Sequence, residues 1–188
     1  MQRLIALLAL AGAGLLAGCA GAPPAAQPGA APQLRLAPAL LGRTLNLQQR
    51  LTLQSPGHDQ QLDVLLEADA RHVQMGMLAM GQVAARLSWD GTTLDESTAP
   101  WWPQQVSASR ILSDLQLTLW PVPAIQAALP AGWHLTEDGN VRTLMHADEV
   151  VTVITRLSPW RVALDQRRDH FKLTIESRDL GEAPAPAP

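Results

Sequence analysis

The sequence predicts a mainly β fold with a helical insertion: a curved antiparallel sheet that forms a half-open β-barrel capped by short helices. Two observations support this prediction. Short segments in which apolar and polar residues alternate recur from about residue 45 to residue 177, as expected of strands with one buried face. Between about residues 107 and 129 this period of two gives way to a helical pattern.

The strands follow one another with short turn sequences between them, such as Ser55-Pro56-Gly57-His58-Asp59 and Asp90-Gly91. Leu62, Val64 and Leu66 show the typical alternation with polar neighbours. The pattern predicts nine or ten strands, near residues 45–53, 62–66, 73–77, 83–89, 92–94, 133–137, 141–145, 149–156, 160–165 and 171–177. Sequential strands with short turns indicate an antiparallel meander.

The helical insertion has recognisable boundaries. Ser107 or Ser109 is suited to cap a helix that continues to about Leu115. Pro121 and Pro123 then favour the start of a second helix over residues 124–129, because proline is compatible with the first turn of a helix. These helices are expected to cover one mouth of the barrel.

The first 18 residues have the pattern of a bacterial signal peptide: Arg3 precedes an apolar run that is too short to cross a bilayer. The run ends at Leu16-Ala17-Gly18-Cys19, which resembles the lipobox of bacterial lipoproteins. That resemblance implies cleavage before Cys19 and lipid attachment to its sulfur. Ala20, rather than Asp, follows the cysteine, and this implies an outer-membrane location at the periplasmic face.

Four regions are therefore expected along the chain. Residues 1–18 are the signal peptide, and residues 19–39 are the lipidated cysteine with a flexible Ala/Pro tether. Residues 40–178 are the folded domain, and residues 179–188 are a disordered Pro/Ala tail.

Composition excludes several classes of protein. A single Cys rules out an internal disulfide framework and a Cys-rich zinc site, and a formal charge of −3 gives no basic surface for nucleic acid. The sequence has no G-x-S-x-G elbow, phosphate-binding loop or dinucleotide fingerprint. We expect no enzymatic activity, no cofactor and no metal, although a Ser-His-Asp triad formed by distant residues is left open.

Several short segments, in their order along the chain and together with the lipobox, carry a family resemblance over about residues 41–165. They are Leu41-Gly42, Gln49-Arg50-Leu51, Leu62-Asp63-Val64-Leu65-Leu66-Glu67, Trp89-Asp90-Gly91, Ile111-Leu112-Ser113-Asp114-Leu115-Gln116-Leu117, Trp120-Pro121 and Gly132-Trp133. The chain resembles the bacterial lipoprotein family called domain of unknown function 3261. More distantly, it is similar to the LolA/LolB lipoprotein carrier and receptor proteins. That likeness implies a half-open barrel with an apolar cavity for acyl chains.

The apolar residues of the first four strands are the candidate ligand-binding residues. They would line a cavity on the concave face, and the methionines among them suit flexible chains. The alternative is a closed core filled by the same side chains. The predicted cavity residues are Leu51, Leu53, Leu62, Val64, Leu66, Met75, Met77, Leu87 and Trp89.

Three apolar residues and one charged turn are further candidates for contact with a membrane or a lipid. By resemblance to the receptor, Met80 before Gly81 takes the place of a protruding apolar residue, which is Leu there. Trp101 and Trp102, in a loop between prolines, would form an amphipathic lip or, alternatively, plug the barrel end. Arg167 and Arg168 form a charged turn that is either solvated or in contact with lipid phosphates.

Taken together, these features predict a non-enzymatic, outer-membrane-anchored periplasmic lipoprotein that binds or transfers an acyl chain, a lipid or another long apolar molecule. The family resemblance implies a link to export of aryl polyene or polyketide-like lipids. The alternative is a structural or assembly module that docks a protein partner of the envelope. A cavity of several hundred Å³ would favour the first hypothesis, and a solid interior would favour the second.

Overall fold

The computed structural model describes residues 31–103 and 106–181. In these residues a 3-10 helix, Pro38–Leu41, precedes ten strands and two α-helices. The strands are β1 Leu45–Ser55, β2 His58–Ala68, β3 Val73–Ala79, β4 Gln82–Trp89, β5 Leu94–Thr98, β6 Trp133–Asp138, β7 Val141–His146, β8 Glu149–Ser158, β9 Arg161–Gln166 and β10 Phe171–Asp179. The helices, α1 Ala108–Leu119 and α2 Val122–Ala128, lie between β5 and β6.

All ten strands form one antiparallel sheet in the order β5-β4-β3-β2-β1-β10-β9-β8-β7-β6. Strands that are consecutive in sequence pair with each other, except for β5 and β6. Strand β1 also pairs with β10 and so joins the two halves of the chain. Strands β5 and β6 form the two edges, and the sheet is not closed. The predicted mainly β fold, an open antiparallel sheet with a helical insertion, is confirmed.

The two ends of the sheet carry different turns. The end with the β1–β2, β3–β4, β7–β8 and β9–β10 turns is called the Met80 end, after the residue at the tip of its β3–β4 turn. The opposite end, with the β2–β3, β4–β5, β6–β7 and β8–β9 turns, is called the Trp160 end. This distinction matters because the candidate site residues are unevenly divided between the two ends.

Helix α1 runs along the inner face of the sheet from the Met80 end to the Trp160 end. At its start, Arg110 Nη2 lies 2.8 Å from the carboxylate of Asp169, in the β9–β10 turn. At its end, Arg142 from the first part of β7 donates to the carbonyl oxygens of Leu117 and Trp120 at 3.1 and 2.8 Å. The predicted cap is confirmed at Ser107, whose hydroxyl accepts from Arg110 N, but the helix continues to Leu119.

An extended segment before the 3-10 helix also belongs to the folded unit. We call residues 31–37 the strap. Leu34 and Leu36 are only 2 % and 4 % exposed and pack into the same core as α1 and β1–β4. The prediction that the tether continues to residue 39 is therefore wrong for the strap, because its two leucines find apolar surface to bury in the folded chain.

The boundary at the other end of the domain also moves outward. Strand β10 continues to Asp179, and Leu180 N donates to Asn46 O at 2.9 Å. Residues 179–181, predicted as part of the disordered tail, are thus held against β1. The predicted signal peptide, residues 1–18, and Cys19 lie outside the described residues. Within the described residues, no helix combines the length and apolar character needed to span a membrane.

Candidate functional site

Six of the nine predicted cavity residues are buried in the core. Their side chains share the inner face of the sheet, since Val64 is opposite Met77, and Leu66 is opposite Met75, which pairs in turn with Leu87. The core they form includes Leu112 of α1 and the strap leucines. The buried six are Val64, Leu66, Met75, Met77, Leu87 and Trp89.

The other three predicted cavity residues, Leu51, Leu53 and Leu62, are only half-buried. They lie nearer the Met80 end of β1 and β2, where Leu51 is opposite Leu62. On the other side of β1, Leu51 is opposite Ile175 and Leu53 is opposite Leu173, both also half-buried. These five apolar residues, which we call the inner stripe, form a continuous and partly accessible part of the inner face.

The strap occupies the inner face beside α1 and is fastened by side chains. Ser113 Oγ accepts from Leu34 N at 3.1 Å and donates to Pro32 O at 3.0 Å. Further along, Trp120 Nε1 donates to Ala37 O at 3.2 Å. The strap therefore runs parallel to α1, and its first residue, which leads back towards Cys19, lies on the side of the Met80 end.

A buried polar chain holds α1 to the second half of the sheet. Thr152 Oγ1 donates to Gln166 Oε1 at 2.7 Å, and Gln166 Nε2 donates to Asp114 Oδ1 at 3.0 Å. Arg110 Nε donates to the other oxygen of Asp114 at 3.0 Å. Burial raises the pKa of the Asp114 carboxyl above its ordinary value, although the Arg110 guanidinium acts in the opposite direction. The network was not predicted, because its members are up to 56 residues apart (166 − 110).

Met80 is the most exposed of the large apolar residues in the described chain, with 93 % of its surface accessible. It forms a two-residue hairpin turn with Gly81, and both have positive φ angles, 51° and 74°. Such a turn favours Asn-Gly, because a side chain that is not Asn, Asp or Gly is strained in this conformation. The hairpin thus presents an apolar side chain to solvent from a strained backbone position.

The two tryptophans of the predicted lip are separated by the fold. Trp101 is 47 % exposed, whereas Trp102 is 8 % exposed and its Nε1 donates to Val106 O at 3.0 Å. The predicted lipid contact of Trp102 is wrong in this arrangement, because its ring belongs to the core. Residue Ala99 pairs with Ala84 near the start of β4, so Trp101 lies towards the same end of the sheet as Met80.

A cleft of about 450 Å³ opens at the Met80 end between the β1–β2 and β9–β10 turns. Arg167, His170 and Lys172 line it on one side, together with Asp165 and Phe171. The other basic residue of this turn, Arg168, is not in the lining, since its Nη2 pairs with Glu149 at 2.5 Å. Of the two arginines in the charged turn noted in the sequence, Arg168 thus forms an ion pair and Arg167 lines the cleft.

A second cleft, of about 470 Å³, lies on the outer face of β2–β5. It forms where Gly76 has no side chain between Leu65 and Arg86 on the neighbouring strands. Met75 and Leu87 are the predicted cavity residues that reach its lining. The predicted cavity residues therefore gather around neither cleft, and for the six buried ones the structure shows the alternative, a core filled by their side chains.

Metal-binding groups are not assembled in the part of the chain that is described. No group of three or more His, Cys, Asp or Glu residues there has a geometry suited to a metal ion. The His146 ring instead stacks on Trp133, with 4.7 Å between the ring centroids.

Comparison with known protein families gives a match. A family model described as a protein of unknown function (DUF3261) matches residues 46–179, which is nearly the whole sheet from β1 to β10. Among curated proteins, none matches the chain.

Proposed function

Because this chain belongs to the DUF3261 family, whose description assigns no activity, we propose its function from the structure. The protein is a non-enzymatic lipoprotein, anchored through Cys19 at the periplasmic face of the outer membrane. It binds an acyl chain or another long apolar molecule along its inner stripe. The observation that carries the proposal is Met80. An apolar side chain that is both strained and 93 % exposed has a folding cost that a contact with lipid would offset.

The position of the strap supports an orientation in which the Met80 end of the sheet faces the membrane. Its first residue lies on the side of the Met80 end, and eleven residues, 20–30, connect it with Cys19. A chain of that length spans at most about 40 Å, so lipidated Cys19 would keep this end of the domain near the bilayer. Exposed Trp101 lies towards the same end, and tryptophan is enriched at membrane interfaces.

The inner stripe supports binding of an apolar chain. Leu51, Leu53 and Leu62 remain half-buried, while the predicted cavity residues farther from the Met80 end are buried beneath the strap and α1. An alkyl chain placed on the stripe would bury apolar surface at about 25 cal/mol per Å². We expect the chain to enter from the Met80 end, because that end also carries the membrane-directed side chains.

Mass spectrometry of the mature protein purified from its native membrane tests this proposal. The expected result is a non-covalent, long-chain lipid that is released by organic solvent, in addition to the acyl groups on Cys19. A leucine-to-glutamine change at Leu51 and Leu62 should remove the non-covalent lipid and leave the Cys19 acylation intact. Purified protein that repeatedly carries no such lipid, and takes up no fluorescent fatty acid, would rule the proposal out.

A second candidate function, docking of an envelope protein, has its own supporting observation. Three large apolar side chains are exposed at the Trp160 end: Leu157 at 54 %, Trp160 at 51 % and Leu180 at 45 %. Trp160 is connected to β10 through its carbonyl, which accepts from Ser177 N at 2.7 Å. Because this end faces away from the bilayer in the proposed orientation, its apolar surface would be available to a protein.

Site-specific photocrosslinking in living cells distinguishes the two candidates. A crosslinker in place of Trp160 should give one discrete protein adduct if this end docks a partner, and a crosslinker in place of Met80 should give lipid adducts. Absence of any protein adduct from position 160 and from its neighbour Leu157 would count against docking.

A further inference from the structure

The cleft at the Met80 end has the chemistry of an anion site beside an apolar surface. We propose that it binds the anionic headgroup, a carboxylate or a phosphate, of an amphiphile whose alkyl chain lies on the inner stripe. This inference rests on the proposed function and specifies its ligand: a negatively charged lipid rather than a neutral one.

The basic side chains of the cleft are largely uncommitted. Lys172 and His170 have no hydrogen-bond or ion-pair partner among the described residues. Arg167 has one carboxylate nearby, Asp165, but their atoms Nε and Oδ2 are 3.9 Å apart, which is beyond hydrogen-bond distance. The donors of all three side chains are therefore available to a ligand.

The other arginines near this turn are engaged elsewhere. Arg168 pairs with Glu149, and Arg110 pairs with Asp114 and Asp169. Arg168 and Arg110 are thus held by carboxylates at hydrogen-bond distance, whereas the cations that face the cleft, Arg167, His170 and Lys172, make no hydrogen bond to a carboxylate. Asp165 is the one carboxylate in the lining, so Arg167 and Lys172 leave a net positive charge there.

The cleft continues into the apolar inner stripe. Phe171 lines the cleft, and Leu173, two residues later on the same strand face, belongs to the stripe. On the neighbouring strand, Ser55 lines the cleft and lies on the same strand face as Leu53 of the stripe, which is opposite Leu173. A ligand with one charged end and one long apolar end fits a basic cleft that is followed by the apolar inner stripe.

The arrangement also agrees with the orientation proposed above. The cleft is at the same end of the sheet as Met80, and a membrane-directed end meets the headgroup layer first. Charge-assisted hydrogen bonds from an arginine and a lysine are the interactions that bind carboxylates and phosphates most strongly.

A double variant, Arg167→Gln with Lys172→Gln, tests the inference in the chain from residue 20 onward, which keeps the whole described unit. The matched control is Arg43→Gln with Arg71→Gln, which removes the same charge from exposed positions towards the Trp160 end. Circular dichroism and the denaturation midpoint of each variant establish that the fold is retained.

The probes are three amphiphiles with one common alkyl chain, ending in a carboxylate, a phosphate or an uncharged hydroxyl, each used as a monomer. We expect the two anionic probes to bind wild type on the order of tenfold more tightly than the alcohol. The cleft variant should lose this preference and still bind the alcohol as wild type does. The control variant should keep the preference.

Equal binding of all three probes by wild type, or an unchanged preference in the cleft variant, would overturn the headgroup inference and leave the proposed function standing. If none of the chain probes binds, the proposed function itself is overturned. A titration with inorganic phosphate alone then tests the cleft. A chemical-shift change at His170 that the cleft variant loses would indicate an anion site without a lipid. No chemical-shift change would exclude the anion site as well.

Vesicles distinguish a carried ligand from a bilayer lipid. If the cleft variant loses binding to vesicles that contain phosphatidylglycerol, while neutral phosphatidylcholine vesicles bind both proteins equally, the headgroup belongs to the membrane. If vesicle binding is unaffected and only the monomeric amphiphiles discriminate, the headgroup belongs to the carried molecule.

Discussion

The side-chain amide of Gln116 in α1 forms a pair of hydrogen bonds with the backbone of Leu36 in the strap. Gln116 Oε1 accepts from Leu36 N at 3.0 Å, and Gln116 Nε2 donates to Leu36 O at 2.9 Å. Leu36 O also accepts from Trp89 Nε1 at 2.8 Å. The amide thus pairs with the backbone N–H and carbonyl groups of Leu36 as a neighbouring strand would, and it joins the strap to the helix that covers the sheet.

Gln116→Ala should destabilise the domain by about 2 kcal/mol, because it leaves the buried N–H of Leu36 without a partner. Denaturant unfolding measures the change. Gln48→Ala is the control, since Gln48 is exposed on the outer side of β1 and should change stability by less than about 0.5 kcal/mol. Equal effects of the two substitutions would show that the strap does not depend on this amide.

Met80→Asn should have opposite effects on stability and on membrane binding. Asparagine is better suited to the positive φ of this turn, so the free energy of unfolding should rise by about 0.5–1 kcal/mol. Binding of the acyl-free chain to vesicles should weaken, because the exposed apolar side chain is lost. Leu157→Asn at the opposite end should leave vesicle binding unchanged, and a similar loss from both variants would contradict the proposed orientation.

Arg142→Met should destabilise the domain by about 1–3 kcal/mol, since three backbone carbonyls at the end of α1 lose their donor. Arg142 Nη1 donates to Leu117, Thr118 and Trp120 at 3.1, 3.3 and 2.8 Å, and its Nε pairs with Glu137. Arg142→Lys, which keeps the charge but not the fork of donors, should recover only part of the loss. Full recovery by lysine in thermal unfolding would indicate a role for charge alone.

The stabilising effect of Asp69 should depend on pH in a defined direction. Hydrogen bonds from the backbone N–H groups of Arg71 and His72 hold the pKa of this carboxyl below its ordinary value of 3.8. Its contribution is therefore complete above pH 3.8 and is lost as the pH falls through the folded-state pKa. Asp69→Ala should lower stability by about 0.5 kcal/mol at neutral pH. The difference from wild type should disappear in strong acid, and a constant difference at all pH values would contradict this.

Cys19→Ala should abolish acylation and cleavage before residue 19, because the sulfur is the predicted site of lipid attachment. Mass spectrometry of the membrane fraction measures both changes. A cleaved, membrane-anchored form of this variant would overturn the lipoprotein prediction.

The strands could be predicted from sequence because a half-buried antiparallel sheet imposes a period of two. Leu62, Val64 and Leu66 are an example, and the structure places all three on the inner face. The buried Gln49 interrupts that pattern in β1, and its amide donates to Ser177 Oγ, 128 residues away. Such long-range pairing leaves no mark in a local pattern.

The strap could not be predicted, because Leu34-Arg35-Leu36 is too short a pattern to distinguish a buried segment from the Ala/Pro tether before it. Its burial depends on Gln116 and Trp89, which are 80 and 53 residues away from Leu36. The division of the cavity residues into a buried group and a half-buried group has the same origin. Val64 and Leu51 have similar local sequence patterns, and only the position of the strap and α1 makes them different.

The most direct test of acyl-chain binding is a titration of the acyl-free chain with a fluorescent long-chain fatty acid. We expect saturable binding at one site, weakened at least about tenfold by Leu51→Gln with Leu62→Gln on the inner stripe. Leu65→Gln with Leu157→Gln, two exposed leucines outside the stripe, should bind as wild type does. Absence of saturable binding by wild type, or equal binding by both variants and wild type, would contradict the account.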